Sequence, residues 1–73
     1  MSSFDIEKKL YFETRAHYVN NGIPEDVLLI ADEFAERAMW GSDSLGMITA
    51  REIIEFHYIK THSRFELINK EIN

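Results

Sequence analysis

Apolar residues recur along this 73-residue chain at the three- to four-residue spacing that places them on one side of an α-helix. The alternation expected of a β-strand is weak, and no dipeptide typical of a hairpin turn occurs. The pattern predicts an all-α protein. We expect one small domain, residues 1–73, with three helices at about 3–20, 24–40 and 49–71.

Two breaks separate the helical segments. The segment "NNGIPED" combines asparagine and glycine, which suit the end of helix 1, with Pro24, which suits the first position of helix 2. The segment "GSDSLGM" supplies Gly41 as the residue that follows helix 2. Thr49 and Glu52 then have the spacing of a capping box, which predicts that helix 3 begins at Thr49.

Helix 2 shows the clearest division into two faces. The predicted inward stripe comprises Val27, Ile30, Ala31, Phe34 and Ala38, widened by Leu28 and Ala35. The opposite face combines two large apolar residues with three acids: Leu29, Asp32, Glu33, Glu36 and Trp40. An apolar anchor within a charged rim is typical of a binding surface, where tryptophan is enriched. These five residues form the predicted partner-binding site.

The distribution of net charge also favours a binding role for this face of helix 2. The chain carries −5 at neutral pH, and the whole excess lies in residues 25–43, because the segments before and after each sum to zero. Nonspecific binding to a nucleic-acid backbone requires the opposite sign. We therefore predict no direct nucleic-acid binding, and a protein partner that presents a basic surface to the acidic helix.

Trp40 has two possible roles at the end of helix 2. In the first it is an exposed anchor for a partner. In the second its ring folds back over the "GSDSLGM" segment and caps the core. The sequence leaves both interpretations open, although they differ in the environment of the ring.

Helices 1 and 3 are apolar on more than one side. With 45% hydrophobic residues and no cysteine, so small a domain has more apolar surface than three inward stripes can use. We predict a homodimer or higher oligomer, the alternative being a monomer with ordinary surface apolar residues. The predicted self-association residues are Phe4, Tyr11, Ile54, Tyr58, Phe65, Ile68 and Ile72. A second apolar group on helix 3 comprises Ile53, Phe56, Ile59 and Leu67. Whether helix 3 continues through His62 and Ser63 stays open.

Catalytic chemistry is not indicated. No glycine-rich phosphate loop, nucleophile–base pattern or metal-binding histidine spacing is present, so we expect neither an enzyme, nor a cofactor, nor a metal site. One alternative concerns Lys8, Tyr11 and Arg15, which fall on one side of helix 1. Aromatic rings can stack on bases while basic groups contact phosphates, so this patch would suit a nucleotide or anion in an oligomeric ligand binder.

The expected function is therefore binding without catalysis. We predict a small acidic helical protein that docks on another protein as an inhibitor or adaptor. Short chains of this type are used by phages and mobile elements against host machinery. The N-terminus lacks a signal-peptide pattern and no apolar run has the length of a membrane span, which predicts a cytoplasmic protein without linker or targeting segment.

Overall fold

Three helices form the protein. The computed structural model describes the backbone of residues 2–72 and the side chains of residues 2–61. The helices are α1 (Ser3–Asn20), α2 (Glu25–Gly41) and α3 (Ser44–Ile72), and the backbone of residues 2–72 contains no strand. The all-α prediction is therefore confirmed. Within the described residues, no helix combines the length and hydropathy that crossing a bilayer requires.

The helices run up, down and up. Arg51 on α3 pairs with Glu7 on α1 (3.4 Å), and further along both helices the rings of Tyr58 and Tyr18 lie 4.6 Å apart. The helices α1 and α3 therefore run in the same direction. The helix α2 runs in the opposite direction along α3, because Ala38 in its last turn lies beside Gly46 in the first turn of α3. Most helix packing involves α3, since α1 and α2 meet at few positions.

The limits of α1 agree with the prediction. Ser2 caps its start by accepting a hydrogen bond from the Asp5 amide (3.3 Å), which satisfies one of the free amides of the first turn. At the other end Gly22 has a φ of +82°, a conformation that costs glycine little. The following helix begins at Glu25, so Pro24 lies one residue before the helix and not at its first position.

The link between α2 and α3 is shorter than predicted. Gly41 is the last residue of α2, and the left-handed position after the helix belongs to Ser42, with a φ of +49°. Asp43 then accepts a hydrogen bond from the amide of Leu45 (3.1 Å), which is the cap of α3. Only two residues connect the helices, because Asp43 within "GSDSLGM" caps α3, whereas the prediction placed the cap at Thr49.

The predicted start of α3 at Thr49 is wrong. Helix α3 begins at Ser44, so Thr49 lies in its second turn. The Thr49 hydroxyl donates to the carbonyl of Leu45 (2.9 Å), as threonine does inside a helix, and it caps no amide.

The core is built from small residues on α2 and larger ones on α1 and α3. The fully buried side chains are Tyr11, Ala31, Ala35, Ala38, Met47, Ala50 and Ile54. The predicted inward stripe of α2 is thus only partly correct, because Ile30 and Phe34 are 51% and 41% exposed. The reason is the close approach of α3: a methyl group added at Gly46 would lie 2.7 Å from the Ala38 Cβ. Helices this close accept alanine between them and leave bulky side chains at the flank.

Candidate interaction surface on α2

The outward face of α2 presents its two large apolar residues to solvent. Trp40 is 85% exposed and Leu29 is 60% exposed. They are eleven residues apart, which is three helical turns and about 16 Å along the axis. Glu33 and Glu36 lie between them and are also exposed. We call these four residues, Leu29, Glu33, Glu36 and Trp40, the acidic face.

Trp40 does not cap the core. Its exposure places the ring in solvent at the end of α2, so the interpretation in which it folds over the following loop is not adopted. Beside it lies a shallow, open depression of about 450 Å³ lined by Glu36, Met39 and Trp40. Met39 is half-buried and packs against the core, so the depression is lined by two apolar side chains and one acid.

Asp32 has a different environment from the other acids of the predicted site. Arg15 of α1 donates two hydrogen bonds to it, Nε to Oδ1 and Nη2 to Oδ2, each of 2.9 Å. The hydroxyl of Tyr11 donates a third hydrogen bond, to Oδ1. Asp32 therefore joins α2 to α1 within the chain, and its charge is already neutralised by a bidentate partner.

The electrostatics of this cluster follow from its geometry. The hydrogen bonds from Arg15 hold the pKa of Asp32 below its usual value, and the same bonds raise the pKa of Arg15. Burial raises the pKa of the Tyr11 hydroxyl, and the neighbouring Asp32 carboxylate raises it further. At neutral pH the three groups are thus fixed as aspartate, arginine and neutral tyrosine.

Two of the three residues of the predicted ligand patch on helix 1 belong to this cluster. Tyr11 is buried at 1% exposure, so its ring cannot stack on a base. The Arg15 guanidinium forms an ion pair with Asp32, whereas Lys8 remains exposed. Tyr11 and Arg15 are brought together as expected, but around a carboxylate of the same chain and not around open space.

The predicted self-association residues fall into three groups. Tyr11 and Ile54 are buried in the core of a single chain. Phe4 and Tyr58 are half-buried, the latter against Tyr18. The remaining members lie outside the described side chains: Phe65, Ile68 and Ile72. The seam predicted on helix 3 is therefore used, in its described part, to pack α3 within its own chain.

No local signal in the sequence predicts the Arg15–Asp32 contact. These residues are 17 positions apart and on different helices, so no periodicity links them. Helical periodicity likewise does not predict that Ile30 and Phe34 are displaced from the core, because it contains no information on how close a neighbouring helix comes.

In the described part of the chain, no three histidine or acidic side chains are grouped so as to hold a metal ion. Comparison with known proteins found no matching family model, no similar curated protein and no similar solved structure. A function for this chain is therefore inferred from the residues of its surface.

Proposed function

We propose that this protein acts by binding another protein through the acidic face of α2. The observation that carries the proposal is Trp40, the sole tryptophan of the chain, placed 85% exposed at the end of an acidic helix. Exposed tryptophan side chains lose much water-accessible apolar area when a partner covers them, which is why they dominate many binding energies.

The partner is defined by complementary chemistry. It would offer an apolar pocket for Trp40 and a second for Leu29, about 16 Å away along the helix. Basic groups between these pockets would meet Glu33 and Glu36, and would also accelerate encounter through the long-range field. Asp32 contributes little to this recognition, since Arg15 already neutralises it.

A protein that covers a basic surface in this way would inhibit or redirect its partner, as an inhibitor or adaptor. This activity fits a small chain with a rigid helix face, because the surface is formed before binding and needs no ordering of loops. An origin in a phage or mobile element and action in the cytoplasm belong to the same proposal.

A photo-crosslinking experiment tests this function. A photoreactive amino acid at position 36 of the full chain should capture a discrete partner whose crosslinked peptide carries lysine or arginine. With that partner purified, Trp40→Ala should weaken binding about tenfold or more, as expected for a hot spot. Charge reversal at Glu33 and Glu36 should mainly slow association, and more so at low salt.

Phe12→Ala is the matched control, because Phe12 is an aromatic residue of similar type that is 46% exposed on α1. It should leave partner affinity unchanged. If Trp40→Ala and Phe12→Ala behave alike, or if the captured peptide lacks basic residues, the acidic face is not the binding surface.

A further inference from the structure

An apolar stripe runs along the outside of α3. Leu45, Phe56 and Ile59 are all more than half exposed, with Phe56 at 67%. At 100° per residue they fall on one side of the helix, together with Thr49 and Glu52. The buried Ile54 is two positions from Phe56 and therefore about 160° around the helix. The stripe thus faces away from the core that α3 shares with α1 and α2.

Charges on this stripe are arranged symmetrically about Phe56. Glu52 lies four residues before it and Lys60 four residues after it, and both are exposed. Among the side chains that the structure describes, neither takes part in an ion pair within its own chain. Phe56 is thus flanked, at equal separations in sequence, by one unneutralised negative group and one unneutralised positive group.

This symmetry is what a two-fold contact between two copies requires. When two α3 helices pack antiparallel with Phe56 at the axis, residues equally far before and after it come to the same level. Glu52 of each copy then faces Lys60 of the other, which gives two ion pairs. Phe56 meets its own counterpart, and Ile59 covers the half-buried Ile53 region. A parallel arrangement would instead set like charges against each other.

We propose that the outer stripe of α3 binds a second copy of this chain, in an antiparallel contact centred on Phe56. The contact differs from the predicted self-association seam, whose described members are either buried, as Tyr11 and Ile54 are, or half-buried, as Phe4 and Tyr58 are. It is also independent of the proposed partner binding, because it uses a different helix from the acidic face.

Sedimentation equilibrium tests the contact. From micromolar to millimolar concentration, the mass of the intact protein should rise from the 8.6 kDa of one chain towards twice that value. Phe56→Asp should abolish the rise while leaving the far-ultraviolet dichroism of the dilute protein unchanged, because the side chain lies outside the core. Phe12→Asp on α1 is the control and should dimerise like the wild type.

A charge swap determines whether the pairing is the one proposed. Glu52→Lys and Lys60→Glu each set like charges together twice, so each should raise the dimer dissociation constant about tenfold. The double variant restores opposite pairs and should return close to the wild-type constant. A protein that stays monomeric throughout overturns the proposal. So does a double variant no tighter than the single ones, or a dimer that Trp40→Asp dissociates and Phe56→Asp does not.

Discussion

The helix α2 contacts its two neighbours in opposite ways. Towards α3 it presents alanine, and Ala38 approaches Gly46 so closely that no further methyl group fits. Towards α1 it presents Asp32, which accepts hydrogen bonds from Arg15 and Tyr11. One contact depends on the absence of side-chain atoms and the other on a particular set of charged and polar groups.

The two contacts should therefore tolerate different kinds of substitution. At the Ala38–Gly46 crossing of α2 and α3 a Cβ added to Gly46 would also lie 3.1 Å from the Asp43 carboxylate, so this contact should be sensitive above all to added volume. The α1–α2 contact should resist modest changes of volume, since Arg15 and Asp32 are each about one-third exposed, but it depends on their protonation states. Substitutions chosen on the two sides therefore separate shape from chemistry.

Asp32→Ala should have the largest effect among these. It leaves the buried Tyr11 hydroxyl without its acceptor and Arg15 without its partner, at a cost of about 2–3 kcal/mol in the free energy of unfolding. Urea denaturation measures this loss. The neighbouring Glu33→Ala is the control and should change stability by no more than about 0.5 kcal/mol. Equal effects at both positions would show that the three-residue cluster does not stabilise the fold.

The same cluster predicts a pH window. Because the pKa of Asp32 is lowered in the folded state, its contribution is complete above the ordinary value of about 4. That contribution is lost as the pH falls towards the lowered value. Because the pKa of Tyr11 is raised, its contribution is present below about 10 and is lost as the pH rises beyond that value. Asp32→Asn should flatten the acid side of a stability-against-pH curve, whereas Glu33→Gln should not.

Two glycines on the same helix pair provide a smaller but sharper comparison. Gly46→Ala should destabilise the protein by about 1–2 kcal/mol, because the new Cβ collides with the Ala38 Cβ. The cost of this collision should outweigh the gain in helix propensity. Gly41→Ala meets no atom within 4 Å and should stabilise the protein by up to about 1 kcal/mol. Thermal melts of both variants check the opposite signs. Ala38→Gly should relieve part of the Gly46→Ala loss, and its failure to do so would place the collision elsewhere.

The cap of α3 gives the smallest expected effect. Asp43→Ala removes the acceptor for the Leu45 amide and should cost about 1 kcal/mol. Thr49→Ala should be nearly neutral, because its hydroxyl bonds only to a carbonyl that is already within the helix. Chemical denaturation of the two variants measures the difference. The reverse order would mean that α3 begins at Thr49 after all.

The sequence located helices more accurately than it oriented them. The bounds of α1 follow from local signals, namely a serine at its start and Asn-Gly at its end, and these signals act within one turn. The predicted start of α3 is wrong, because Asp43 and Thr49 both resemble helix caps in the sequence. Only the position of the preceding helix decides which one is used.

The candidate site divides in the same manner. The polar face of α2 and the presence of Leu29 and Trp40 on it followed from periodicity alone, since a helix fixes which residues share a side. Periodicity does not predict that Trp40 is exposed or that Asp32 pairs with Arg15, because both depend on the residues that neighbouring parts of the fold bring near α2. Periodicity describes one helix at a time.

What the sequence by itself determined is therefore local: an all-α chain, the limits of α1, the polar face of α2 and the concentration of negative charge in the middle segment of the chain. What only the tertiary structure decided is how the helices meet. The Ala38–Gly46 approach places α3 so close to α2 that Ile30 and Phe34 stay at the surface. The distances between helices arise from packing of residues far apart in the chain, and no short stretch of sequence records them.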